Sequence, residues 1–236
     1  MKIQVNKTTI KVLEGKEQLK QKKITGTRLA TILGLNKFNS PFSAWAEMTG
    51  LYKPVIPDKY LKVGQVLEKP IIKEIEDMYD FNIKTFDKNE IKFDNFKDNP
   101  IFGGMVDGID EEKKTLIEIK TTNVKNKKYW DRNIPIEYWY QAQLYCELAK
   151  LKDILFGVAY IENEDYEDPN NIPIDDRDIR IYPIEKANIK EEMQKAIEWY
   201  KRCILTYESP KFNPNSEKDM KIVNEIKKNW RNYICN

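Results

Sequence analysis

Two carboxylates and an amine, those of Asp107, Glu118 and Lys120, fall close together in the sequence in a pattern suited to catalysis or metal binding. They lie in GGMVDGIDEEKKTLIEIKTT, residues 103–122. In TLIEIKTT (115–122) side chains alternate between the two faces of a strand. Leu116, Glu118 and Lys120 share one face; Ile117 and Ile119 share the other, the expected core face. Glu118 and Lys120 then project from one side of a sheet, roughly 7 Å apart along the strand at ~3.3 Å per residue. Asp107 ends the preceding strand candidate, and the turn IDEEKK lets a hairpin bring its carboxylate beside that of Glu118. Two carboxylates held close repel unless a proton or cation intervenes. A divalent ion solves the problem, and an all-oxygen donor set suits Mg²⁺ or Mn²⁺. An ordinary surface or cross-strand ion pair has the same spacing, so this stretch alone fits both readings.

Two further pairs bear on the choice. Gly64 and Glu68 lie four apart in a helical pattern and share a face. Gly64 leaves room for close approach, and Glu68 can deliver another carboxylate; an exposed glutamate is the plain alternative. In YWYQAQLYCEL, Gln141 and Tyr145 are likewise four apart. The alternative there is a helix packing its aromatic face on a sheet, which Tyr138, Trp139, Tyr140 and Leu144 do in part.

The elements that must position these residues follow from periodicity. TRLATILGLN (27–36) reads as a short helix with a glycine stop, and SPFSAWAEMTG (40–50) as a second with Ser40 as cap and Pro41 at its first position. DKYLKVGQVLEKPIIKEIEDMYD (58–80) has helical spacing, with Pro70 expected to kink or split it. NIKTFDK, EIKFDNF, 101–109 and TLIEIKTT read as strands joined by turns. Residues 134–150 return to helical spacing, 153–162 is a strong strand and 178–184 a weaker one. Segments 186–207 and 216–233 are helical again. The order predicts one domain over 1–236 of the α/β (α+β) class, a central mixed β-sheet flanked by helices. Its core spans about 58–165, with extra N-terminal (16–50) and C-terminal (186–233) helical segments.

Bulk properties narrow the chemistry. The chain has 236 residues, long enough for a sizeable core, and 41% of them are hydrophobic against 33% charged, so it is globular rather than disordered. No apolar run approaches the roughly 18–20 residues that cross a bilayer, and no signal-peptide pattern opens the chain, so a cytoplasmic protein is expected. There is no histidine, which removes Ser-His-Asp and Cys-His catalysis and His-ligated zinc together. Three scattered cysteines support neither a disulfide framework nor a thiolate metal site. Net charge is only +2, yet basic residues cluster in two stripes. One is 16–28, with Lys20, Lys22, Lys23 and Arg28 around Thr25 and Thr27. The other is 123–132, where Lys125, Lys127 and Lys128 interleave with Tyr129 and Trp130. Such stripes fit a polyanion groove, or are simply solvated faces.

Taken in order, Gly-x-x-x-Glu on a helix, Asp-Gly at a strand end, Glu-x-Lys on the next strand and Gln-x-x-x-Tyr on the following helix resemble the PD-(D/E)XK nuclease superfamily, in its RecB-like branch. KITGTRLATILGLNKFNSPFSAWAEMTG (23–50) is similar to the opening of the YqaJ-like viral recombinases, the lambda-exonuclease-type family. The resemblance covers about 20–162 and implies a restriction-endonuclease-like core. It implies that Asp107, Glu118 and the Ile119 carbonyl bind Mg²⁺ (Mn²⁺ substituting), with Glu68 completing the shell directly or through water. Lys120 would orient or activate the attacking water and stabilise phosphoryl charge. Gln141 would position Lys120, water or the phosphate, with Tyr145 supporting it. The implied activity is hydrolysis of DNA phosphodiesters, as a phage-type 5′–3′ duplex exonuclease of recombination or repair. The alternatives are a structure-specific endonuclease or a non-catalytic DNA-binding domain on the same core. The two basic stripes would grip the DNA backbone, with Trp130 or Tyr129 stacking on an end base. A ring of three subunits and a single-strand annealing protein are the implied partners. Met105 and Val106 depart from the lambda-type Ser-Pro before the aspartate, which removes a hydroxyl suited to a 5′-phosphate. Arg28 stands where an acidic residue is usual.

Overall fold

The computed structural model describes residues 1–55, 57–168, 170, 172, 178–230 and 233–235. These residues form two compact units, one of 55–98 and 104–188, the other of 1–54, 99–103 and 189–236.

The first unit is a mixed sheet with a helix on each face. Its strands are β3 (Ile83–Lys84), β4 (Gly108–Asp110), β5 (Thr115–Asn123), β6 (Asp153–Ile161) and β7 (Asp178–Glu185), in the order β3-β4-β5-β6-β7. Only the β5–β6 pair is parallel; the crossover between them carries the short helix α4 (Lys127–Trp130) and α5 (Ile136–Leu148). The mixed sheet flanked by helices is the expected fold class.

Helix α3 (Asp58–Tyr79) covers one sheet face with Val63, Leu67, Ile71, Ile72 and Ile75, packed on Ile117, Ile119, Leu155 and Ala159. It runs unbroken through Pro70, where a kink or split was expected. A helix-interior proline costs about 3 kcal/mol. Burying five apolar side chains at ~1.5–3 kcal/mol each outweighs that. Gly157 on β6 permits the close approach: a Cβ there would lie 2.7 Å from both Ile71 and Ile75 side-chain carbons.

The strand readings before β4 need correction. NIKTFDK yields only the two residues of β3, 101–109 yields strand only from Gly108, and EIKFDNF is a series of turns. Side-chain acceptors there satisfy backbone amides that a ladder would otherwise take. Asp87 Oδ1 accepts from Asn89 and Glu90 N–H, and Asp94 Oδ1 from Phe96 and Gly104 N–H.

The second unit holds a small sheet, β2-β1-β8, made of β1 (Lys2–Val5), β2 (Ile10–Glu14) and β8 (Tyr233–Cys235). It also holds helices α1 (Gly26–Ile32), α2 (Pro41–Met48), α6 (Lys190–Trp199) and α7 (Glu217–Asn229). Ser40 caps α2 as expected: its Oγ accepts from Ser43 N–H at 3.1 Å and donates to Asp219 at 2.6 Å. Helix α6 passes into a π-helical turn, Tyr200–Ile204, whose Cys203 carbonyl accepts from the buried Trp45 indole at 3.1 Å. The helical reading of 216–233 is too long. α7 ends at Asn229, 231–232 lie outside the described residues, and Tyr233 opens β8 beside β1. Among the described residues, no helix is long and apolar enough to cross a membrane.

Candidate active site

The hairpin β4–β5 pairs Gly108 with Ile117. Continued by one residue, that register sets Asp107, the residue before β4, opposite Glu118, and the next N–H, that of Ile119, donates to Asp107 Oδ2 at 2.7 Å. Gly108 is required here, since a Cβ would lie 2.5 Å from Ile83 Cγ2. Beyond it, on the α5 side of β5, the Lys120 ammonium donates to Glu118 Oε2 at 2.8 Å and to the Ile119 carbonyl at 3.0 Å. It also stands 3.8 Å from Asp107 Oδ2. Gln141 on α5 donates from Nε2 to the same Glu118 oxygen at 2.9 Å.

Glu118 is completely buried, and its other oxygen, Oε1, has no hydrogen-bond partner among the described residues. Burial pushes its carboxyl up to about 7, against the opposing pull of Lys120 and with the help of the Asp107 charge. Burial alone would lower the Lys120 ammonium, but the carboxylates of Glu118 and Asp107 outweigh it and hold it above the usual lysine value. The ring of Tyr138 adds a cation–π contact at 5.4 Å. The expectation that only the Ile117/Ile119 face of β5 is core is corrected: Leu116 and Glu118 are equally covered, by α5.

Asp107, Lys120, Ile119 and Tyr138 line an open cleft of about 370 Å³ together with Gly64 and Glu68 from α3. Glu68 thus lines the same cleft as Asp107 and Lys120, and its Oε2 is engaged by Lys88 at 3.1 Å. Among the described residues no three acidic or thiol side chains converge closely enough to make a metal site by themselves. What remains fits a hard cation: a buried carboxylate oxygen without a partner, the Asp107 carboxylate and the Ile119 carbonyl. Asp107, Glu118 and Ile119 could hold such an ion directly, and Glu68 through water.

Tyr145 is buried on α5, its ring 5.7 Å from that of Phe96, and its hydroxyl rests on Gly104. A Cβ on Gly104 (φ +136°) would come within 2.2 Å of that oxygen. Tyr145 thus braces the segment that leads into Asp107. Lys88 was not foreseen. It sits in the misread turn segment, where nothing in its local pattern marked it.

The candidate polyanion contacts divide between the units. Lys20, Lys22 and Thr27 are exposed, while Lys23, Thr25 and Arg28 are half-buried. Arg28 donates to the Lys23 carbonyl at 3.1 Å, and the Thr25 and Thr27 hydroxyls are 3.1 Å apart. In the sheet unit Lys125 and Lys128 are exposed, and the half-buried Lys127 lies 5.8 Å from the Tyr160 ring. Trp130 is a correction: it is 3% exposed and packs against Tyr138, Phe156 and Tyr182, so it has no face free to stack on a base. Tyr129, 48% exposed, does.

The pattern of the YqaJ-like viral recombinase domain matches residues 17–151. The uncharacterized protein MG373 of Mycoplasma genitalium is 31% identical over 248 aligned positions, covering 86% of this chain and 87% of that one. The alkaline exonuclease LHK-Exo of Laribacter hongkongensis superposes with a TM-score of 0.57 at 18% identity, over 76% of this chain and 87% of that one. A phage-related exonuclease of Haemophilus somnus does so at 0.53 and 17%, over 86% and 96%. At such identities these solved structures speak to the fold alone, which this chain shares with those two exonucleases. The domain match and the Mycoplasma relative together show that this chain belongs to the YqaJ-like viral recombinase family.

Proposed function

We propose that this protein is a divalent-metal-dependent deoxyribonuclease, an exonuclease that degrades duplex DNA from its 5′ end in recombination or repair. The observation that carries the reading is the fully buried Oε1 of Glu118, without a partner among the described residues, on a carboxylate whose partner Lys120 also contacts the Ile119 carbonyl and Asp107. A buried acceptor without a donor costs stability unless a ligand satisfies it. Membership of the YqaJ-like family supports the same reading, as does the fold shared with two exonucleases.

Hydrolysis forms a bond from a water oxygen to phosphorus and breaks the bond to the leaving sugar oxygen, which takes a proton. A Mg²⁺ or Mn²⁺ ion would supply water activation and relief of charge on the leaving oxygen. Asp107, Glu118 and the Ile119 carbonyl would hold it, with Glu68 contributing through water. Lys120 keeps an ammonium at the cleft wall, where it can donate to the attacking water or a phosphoryl oxygen. Gln141 fixes the Glu118 carboxylate that in turn orients Lys120. Lys20, Lys22, Lys23, Arg28, Lys125, Lys127 and Lys128 supply backbone contacts. A ring of three copies and a single-strand annealing protein complete the proposal by family resemblance.

The test is digestion of 5′- and 3′-end-labelled linear duplexes, and of closed circles, with and without Mg²⁺. Early release of the 5′ label from linear DNA alone is expected. Cutting of closed circles would replace the exonuclease with an endonuclease, and inertness with both Mg²⁺ and Mn²⁺ would leave only DNA binding.

A further inference from the structure

The segment 87–94 is built more tightly than a surface connection needs. Asp87 Oδ1 takes the Asn89 and Glu90 amides at 2.7 and 3.1 Å. Phe93 N–H donates to the Lys88 carbonyl at 2.9 Å, closing the turn so that these two residues are neighbours. The far end is fastened to the strand segment before Asp107. Gly104 N–H donates to Asp94 at 3.0 Å, Asn95 N–H to the Gly104 carbonyl at 2.8 Å, and Val106 N–H to Asn95 Oδ1 at 3.1 Å.

Two features of the turn are unexplained by stability. Lys92 and Phe93 are consecutive residues in the left-handed region, at φ 49° and 59°. An aromatic residue there is uncommon and strained. Strain of this kind is ordinarily offset by burying the ring, yet Phe93 is 62% exposed. Its neighbour Lys88 reaches the cleft, with its ammonium on Glu68. The carboxylates of Asp87 and Asp94 are turned onto backbone amides, and Glu90 is exposed. Lys88 carries a cation and Phe93 an uncovered aromatic ring, on residues joined by one backbone hydrogen bond; the two chemistries match the two parts of a nucleotide, phosphate and base.

We propose that the turn 87–94 is a DNA-end contact in which Lys88 takes a backbone phosphate and Phe93 stacks on a terminal base. This rests on the nuclease reading and deepens it. The rigid fastening to 104–106 fixes the stacked base relative to Asp107, so the contact sets which phosphodiester reaches the site. Stacking needs no particular base, which suits an enzyme indifferent to sequence.

The test is binding of a short duplex with 2-aminopurine at its 5′ end, with Ca²⁺ in place of Mg²⁺, followed by anisotropy and 2-aminopurine fluorescence. Wild type is expected to quench the probe. Phe93→Ala should abolish quenching and raise Kd about 5- to 100-fold, and Phe93→Trp should restore both. Phe93→Gly should relieve the left-handed strain and raise Tm while binding as weakly as Phe93→Ala, a split that a purely structural role would not give. Lys88→Met should weaken binding and reduce the slope of log K against log salt by about 1. If Phe93→Ala binds and quenches like wild type, or loses affinity only through a changed oligomeric state in sedimentation, this inference falls and the nuclease reading stands. If wild type neither binds nor, with Mg²⁺, degrades the duplex, both fall.

Discussion

The two faces of β5 are covered in opposite ways. On the α3 side, Ile117 and Ile119 meet Ile71 and Ile75 in a fully apolar contact, tightened by Gly157. On the α5 side, the same strand buries Glu118 beneath Gln141 and sets the half-buried Lys120 against Tyr138. The first face contributes stability from area removed from water. The second holds a buried charged pair that an apolar pair of similar volume would match or better. In the proposed function one strand carries the fold on one side and the chemistry on the other, and substitutions on the two sides should separate stability from activity.

The largest effect is expected on the polar side. Glu118→Gln and Lys120→Ala should each lower Mg²⁺-dependent release of nucleotides from linear duplex by roughly 10³-fold or more while the far-ultraviolet spectrum stays native. Full activity in either would remove the polar face from the chemistry. Next comes the apolar side: Gly157→Val should cost on the order of 1–3 kcal/mol by chemical denaturation, because its side chain collides with Ile71 and Ile75. Unchanged stability would mean that α3 is less closely seated than described.

The third test is pH. The Glu118 carboxyl is raised from 4.5 to about 7 in the folded state. The folded state therefore binds this proton more tightly than the unfolded chain does. Its contribution is full below about pH 4.5 and is lost as pH rises through 7. Gln carries no such proton, so the Tm of Glu118→Gln minus that of wild type, both without metal, should climb between pH 4.5 and 7 and level off above. A flat difference would contradict the burial argument.

The smallest effect probes the aromatic support behind the polar face. Tyr182 donates to Asp131 at 2.8 Å, lies 2.7 Å from the Tyr160 hydroxyl and packs on Trp130. Tyr182→Phe should cost about 1 kcal/mol in stability. A loss of several kcal/mol would make this network a larger structural element than its geometry indicates.

The same contrast explains what could be read from the sequence. α3, β5, α5 and β6 were legible because their burial imposes a period, and the carboxylates and lysine stood out because charge inside an apolar run needs a reason. The turn at 87–94 was misread because Ile91 and Phe93 alternate with Glu90, Lys92 and Asp94 like a strand. The deciding interactions are side chain to backbone, and they leave no period. The sheet β2-β1-β8 escaped because its strands are short and two of them lie at opposite ends of the chain. Trp130 lay among lysines, and only the crossover after β5 turns it inward. Lys88 meets Glu68 through folding alone, twenty residues apart.

The bond from Ile119 N–H to Asp107 ties the first acidic residue to the backbone of the strand that carries the second. Slipping β4 along β5 by a single residue would turn Asp107 to the opposite side of the sheet. A misfolded hairpin could keep its strands and its hydrophobic core contacts in part, yet it could not present both carboxylates to one ion. Divalent-ion affinity should therefore report on strand register, sorting correctly threaded molecules from near misses that spectroscopy of secondary structure would count as folded.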